Sequence, residues 1–137
     1  MIRAVIDTNV LVSALIKPDS SAGPILKMLG EGKFELVFSP AVLDELIRVL
    51  AYPKLRKKYR INRADMETVV AILVLRGEML FPSRSIHVCR DPHGDILIEA
   101  AFSGRADYLV TGDSDLLALR RFEDVKIISP GGFLRIL

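Results

Sequence analysis

Two stretches of the chain run from an apolar segment straight into acid. In AVIDTNVLVSAL the acid is Asp7, and in YLVTGDSDLLAL it is Asp113, with Asp115 two residues on. Carboxylates brought together repel one another and resist desolvation, so several at one place ordinarily mean a bound cation. A ligand set made of oxygens selects a hard divalent ion, Mg²⁺ or Mn²⁺. Without the ion, repulsion is expected to raise at least one of the pKa values above the usual value of about 4.

The elements that position such acids follow from the apolar pattern. RAVID, FELVFS, DYLVT and VKIIS read as strands and EMLF as a further apolar run, separated by helical patterns around Val10–Ile16 and Pro24–Leu29, after Pro40, over RADMETVVAILVLR, from about Gly94 to Ser103, and from Ser114. Ser39 before Pro40 is a helix start, Asn62 can cap the helix that Gly77 stops, and Gly104 closes the helix that ends at Ser103. Strands that are apolar throughout and alternate with helices imply a mostly parallel sheet covered on both faces. The expected fold is an α/β three-layer α/β/α sandwich. Open parallel sheets bind ligands beyond the carboxyl ends of their strands, which is where Asp7 and Asp113 fall.

Helix geometry selects the other acids. After Pro40, the residues Val42, Leu43, Leu46, Ile47, Val49 and Leu50 define an apolar sector, with Glu45 on its border and Asp44 toward the far side. In DPHGDILIEAAFSG, Asp95 falls in the first helical turn, where backbone N–H groups favour an anion. Asp91, before Pro92, reads as a turn residue, and Glu99 as an exposed helix glutamate.

Composition bounds the rest. At 137 residues, half of them apolar and 26% charged, the chain is expected to form one domain spanning 1–137 with a sizeable core. Its longest apolar runs, such as VVAILVL, fall short of the roughly 20 residues of a membrane span. Asp7 interrupts any secretory apolar core, and the single Cys89 can form no internal disulfide, so a cytoplasmic protein is expected. Cys89 reads as a buried or half-buried small hydrophobe and His87 as a strand-edge residue, while His93 reads either as a group touching metal or substrate or as a local hydrogen-bonding residue. The net charge of +2 hides a basic run, KLRKKYR, with Lys54, Arg56, Lys57, Lys58 and Arg60. That run is either a solvated helix face or a phosphate-contacting patch.

Taken in order, VIDTNVLVSAL with Asp7, Thr8 and Asn9, then Glu45, then DPHGDILIEAA with Asp95, then YLVTGDSDLL with Thr111, Asp113 and Asp115, resembles the PIN-domain ribonucleases. The likeness is strongest to VapC-related toxins of prokaryotic toxin–antitoxin pairs and covers nearly the whole chain. It implies an acidic metal site of Asp7, Glu45, Asp95 and Asp113, with Asp115 an additional acid and Asn9 and Thr111 supporting. It also implies hydrolysis of RNA phosphodiesters with Mg²⁺ or Mn²⁺, a small DNA-binding antitoxin as partner, a homodimer, and RNA contacts from the basic run. His93 and Gly94 depart from the pattern, since relatives often carry further polar or acidic residues there. Two other readings remain open at this level. A haloacid dehalogenase-type phosphatase also ends its first strand in an aspartate, but it needs an acid where Asn9 stands. A catalytically inactive PIN-like module would bind RNA or protein without cutting.

Overall fold

The computed structural model describes residues 1–137. Its strands are β1 (Arg3–Ile6), β2 (Glu35–Phe38), β3 (Gly77–Met79), β4 (Tyr108–Val110), β5 (Arg121–Phe122) and β6 (Val125–Ile128). They form one sheet in the order β3-β2-β1-β4-β6-β5, parallel throughout except for the β5–β6 edge pair. Ala4, Val5 and Ile6 of the central strand are all fully buried, as are Leu36, Val37, Leu109 and Val110. Burial of consecutive residues means that both faces of the sheet are covered, and the architecture is the expected three-layer sandwich.

Eight helices supply the outer layers: α1 (Thr8–Ile16), α2 (Ala22–Gly30), α3 (Pro40–Leu50), α4 (Pro53–Tyr59), α5 (Arg63–Arg76), α6 (Pro92–Ser103), α7 (Ser114–Leu119) and α8 (Pro130–Ile136). Their starts obey local chemistry. Ser39, Asn62 and Ser129 each accept a backbone N–H as N-cap, and Asn62 with Asp65 completes a capping box. α6 begins at Pro92, two residues before the expected Gly94, because Asp91 caps it and proline takes the first helical position. α4, the edge strand β5 and α8 are elements that the apolar pattern alone does not announce.

Chain order places the site. β1, β2 and β3 run outward in one direction, and the chain then returns to lay β4 on the other side of β1. The order of strands therefore reverses between β1 and β4, and the crevice at such a point opens at the carboxyl ends of the two strands. Ile6 is in register with Val110, and the Asp7 amide continues the ladder by donating to the Val110 carbonyl at 2.9 Å. Asp7 and Thr111 thus leave the sheet side by side.

Candidate functional site

Asp7 is the anchor. It is 1% exposed, yet its carboxylate is hydrogen-bonded on both oxygens. Oδ1 accepts from the Asn9 amide at 3.1 Å, because Asp7 is also the N-cap of α1. Oδ2 accepts from the buried Thr111 hydroxyl at 2.8 Å. The same hydroxyl oxygen accepts the Asp113 amide at 3.0 Å, so one threonine locks the turn after β4 onto the end of β1. Asp113 in turn caps α7 through the Asp115 amide.

The third partner of Asp7 is His93. Its Nε2 lies 2.9 Å from Asp7 Oδ1, and its Nδ1 lies 2.5 Å from Glu45 Oε1, a charge contact without hydrogen-bond alignment. Glu45 is largely buried, while Asp44 faces water, as the helical sector of α3 requires. The other Glu45 oxygen, Oε2, is buried with no hydrogen-bond partner.

These contacts reverse the expected pKa pattern. Burial by itself raises the Asp7 value, but the bonds from His93, Thr111 and the Asn9 amide outweigh it and hold the carboxyl below the ordinary range. Asp95 is lowered in the same way: burial raises it, and the Cys89 and Val88 amides outweigh that. The group raised beside Asp7 is a base. The bond to Asp7, opposed by burial and aided by Glu45, pushes His93 up to about 9. Repulsion among the acids is relieved by an imidazole whose role the sequence leaves undecided.

Asp7, Asn9, Asp91, His93 and Asp113 share the wall of one cavity of about 610 Å³, completed by Ser13, Ser20, Ser21 and Gly131 among others. Asp91 thus reaches the cleft that was expected to receive Asp95. Asp95 Oδ1 instead accepts the amides of Val88 and Cys89 at 3.0 and 2.9 Å, tying the loop before α6 to that helix's first turn. Asp115 meets Arg90 at 3.0 Å beside a smaller cavity of about 230 Å³, which Asp113 also lines.

Residues 3–115 match the family described as PIN domain. The chain belongs to the PIN-domain family. It is 36% identical over 119 residues to an uncharacterized protein of Methanocaldococcus jannaschii, MJ1680, covering 87% of this chain and 76% of that one. Its fold is similar to that of a chain in the crystal structure of VapBC2 from Rickettsia felis bound to a DNA fragment from their promoter. The TM-score is 0.59 at 17% identity, over 93% of this chain and 98% of that one.

Within this PIN domain the donor set suits a divalent cation. The side chains around the cleft offer hard oxygens, and Glu45 Oε2 is a buried charge-bearing atom that the protein leaves unsatisfied. No three acidic, histidine or cysteine side chains already stand together at metal-ligand spacing. Cys89 is half-buried, and burial, then Asp95, push its thiol up to about 11, so it stays neutral. His87 is exposed in the loop before α6 instead of on a strand edge. The basic run forms α4 and its C-cap Arg60, and Lys54, Arg56, Lys57, Lys58 and Arg60 are exposed and make no ion pair. No helix is long and apolar enough to cross a membrane.

Proposed function

We propose that this PIN domain is a divalent-metal-dependent ribonuclease that hydrolyses RNA phosphodiesters and serves as the toxin of a toxin–antitoxin pair. One observation carries the reading: Asp7 and Asp113, from the ends of β1 and β4, open on one cavity while Glu45, joined to Asp7 through His93, keeps a buried oxygen without a partner. PIN domains are generally nucleases, which supports the activity class. When bound, Mg²⁺ or Mn²⁺ supplies an activated water and positive charge for the phosphate.

The chain's own residues have distinct jobs in this reading. Asp7, Glu45 and Asp113 hold the cation. Thr111 fixes the Asp7 oxygens and the Asp113 backbone in one frame, so the carboxylates need little reorganisation. Asn9 and Asp91 line the cleft where the RNA backbone enters. Asp95 sets the path of the loop that delivers Asp91 and His93, and Asp95 and Asp115 add negative charge at the border of the cation site. No side chain of the cavity is a nucleophile, since no serine of its wall contacts a histidine and the Cys89 thiol is neutral.

The exposed cations of α4 are assigned to RNA phosphates. Replacing Lys57 and Lys58 with glutamine is expected to flatten the dependence of log affinity on log salt by roughly 0.7 for each phosphate that is no longer neutralised. The fold likeness to a chain of VapBC2 supports a small DNA-binding antitoxin, and we assign the chain a homodimer, a cytoplasmic location and a single PIN-like domain over 1–137. The deciding experiment incubates purified protein with an RNA pool and Mn²⁺ or Mg²⁺. Cleavage that stops with a chelator and is missing in Asp113→Asn supports the enzyme. RNA binding without cleavage under the same conditions replaces it with the inactive module.

A further inference from the structure

His93 stands as a spacer inside the acid centre. Its Nε2 faces Asp7 from the end of β1 and its Nδ1 faces Glu45 from α3, at 2.9 and 2.5 Å. The two nitrogens of an imidazole point outward in diverging directions, so the carboxylates lie on opposite sides of the ring. An ion shared by these two acids needs both oxygens at about 2.0–2.1 Å, in the case of Mg²⁺. The space between them is the ring's own, and the carboxylates have to draw in once it leaves, since contacts of 2.9 and 2.5 Å on either side of the ring hold the two oxygens farther apart than one ion spans. Building on the metal-dependent reading above, we propose that His93 is a displaceable plug whose ring closes Asp7 and Glu45 into a pair, and that a divalent cation enters as the ring swings out.

The surroundings allow the side chain to move and keep the backbone still. Asp91 Oδ1 accepts the His93 amide at 3.0 Å, and Pro92 fixes the preceding φ. Gly94 behind it is wedged so tightly that an added Cβ would lie 2.8 Å from Cys89 Sγ and 3.2 Å from Leu116 Cδ2. The first turn of α6 is therefore held, while the ring itself borders the cavity of about 610 Å³. A role as metal ligand fits less well, because both ring nitrogens already lie against carboxylates, Nε2 against Asp7 and Nδ1 against Glu45. Nor does the plug satisfy the acids fully. Glu45 Oε2 stays without a partner in the closed pair, and the entering cation answers that remaining demand.

A plug lowers apparent metal affinity by the fraction of molecules that are open. Mn²⁺ titrated calorimetrically at one fixed pH into wild type and His93→Ala tests this. The variant is expected to bind about tenfold more tightly, the factor that a closed fraction of about nine tenths removes. It is also expected to melt lower than wild type without metal and to gain more from Mn²⁺. Equal or weaker binding by the variant overturns the plug. Wild type gives a second readout that does not depend on the variant folding. The chain has two histidines, and His87→Gln assigns the ring resonances to His93. On adding Mg²⁺, those signals are expected to move to the positions of a solvated imidazole, and a ring that stays in place overturns the proposal. If both proteins bind the ions equally, the plug fails and the nuclease reading stands. If neither binds, both fall together.

Discussion

β1 carries a charge at each end, and the molecule treats the two oppositely. At the amino end, Arg3 Nη1 meets Glu35 and Glu78 at 3.1 and 2.9 Å while Nε and Nη2 donate to the Gly104 carbonyl, with both glutamates exposed. At the carboxyl end, Asp7 is 1% exposed and ringed by Thr111, His93 and the Asn9 amide. Water solvates whatever the first group leaves unpaired. In the second region nothing does, so Glu45 Oε2 remains a buried demand. An exposed ion cluster of the first kind contributes little and serves as a strap. A buried, incompletely satisfied cluster of the second kind has to be held in place by the fold.

That contrast can be broken at several points. The largest expected effect is on activity: Asp7→Asn should lower metal-dependent RNA cleavage by more than the roughly 100-fold that loss of a supporting group costs, with the circular dichroism spectrum unchanged. Activity near wild type would remove Asp7 from the site. Thr111→Val keeps the shape and deletes the hydroxyl, leaving an Asp7 oxygen and the Asp113 amide unpaired. Denaturant melts should show a loss of about 1–3 kcal/mol, together with about 10- to 100-fold in cleavage. Asp95→Ala removes the acceptor of two amides and should cost about 1.5–3 kcal/mol. Asp95→Asn, which keeps a carbonyl oxygen there, should cost less and separate loop anchoring from metal holding.

The pH response sharpens the same comparison in chelated, metal-free protein. His93 is raised from 6.5 to about 9 on folding, so its contribution is complete below about pH 6.5 and is lost as pH climbs through 9. Melting temperature should fall across that window in wild type and stay flatter in His93→Asn. Asp7, lowered from 3.8, acts on the other side: its contribution is present above that value and disappears as pH drops through the folded one. The smallest effect belongs to the amino end, where Arg3→Gln should cost under about 1 kcal/mol and less still in high salt.

Legibility from sequence divides along similar lines. Asp7, Thr111 and Asp113 could be placed because each follows an apolar strand, and parallel strands deliver their carboxyl ends to a common edge. Glu45 could be told from Asp44 because helical periodicity fixes which side faces the sheet. Asp91, His93 and Asp95 could not be sorted, since the segment before α6 has no periodicity and its path is set by tertiary bonds from the Val88 and Cys89 amides. One local signal did exist. Asp91–Pro92 and Ser129–Pro130 repeat the cap-then-proline pattern of Ser39–Pro40, which places the true start of α6 and reveals α8.

The pairing of β1 with β4 also has a consequence for the order of events in folding. Thr111 and His93 meet Asp7 across sequence separations of 104 and 86 residues, so the cleft is among the most non-local parts of the molecule. Its loop-closure entropy has to be met before any of its contacts is gained. On a ribosome, a chain still lacking β4 has β1 and β2 available but no Thr111 to orient Asp7. The acidic centre therefore assembles only after more than three quarters of these residues have emerged, and a growing chain carries its aspartate unarmed.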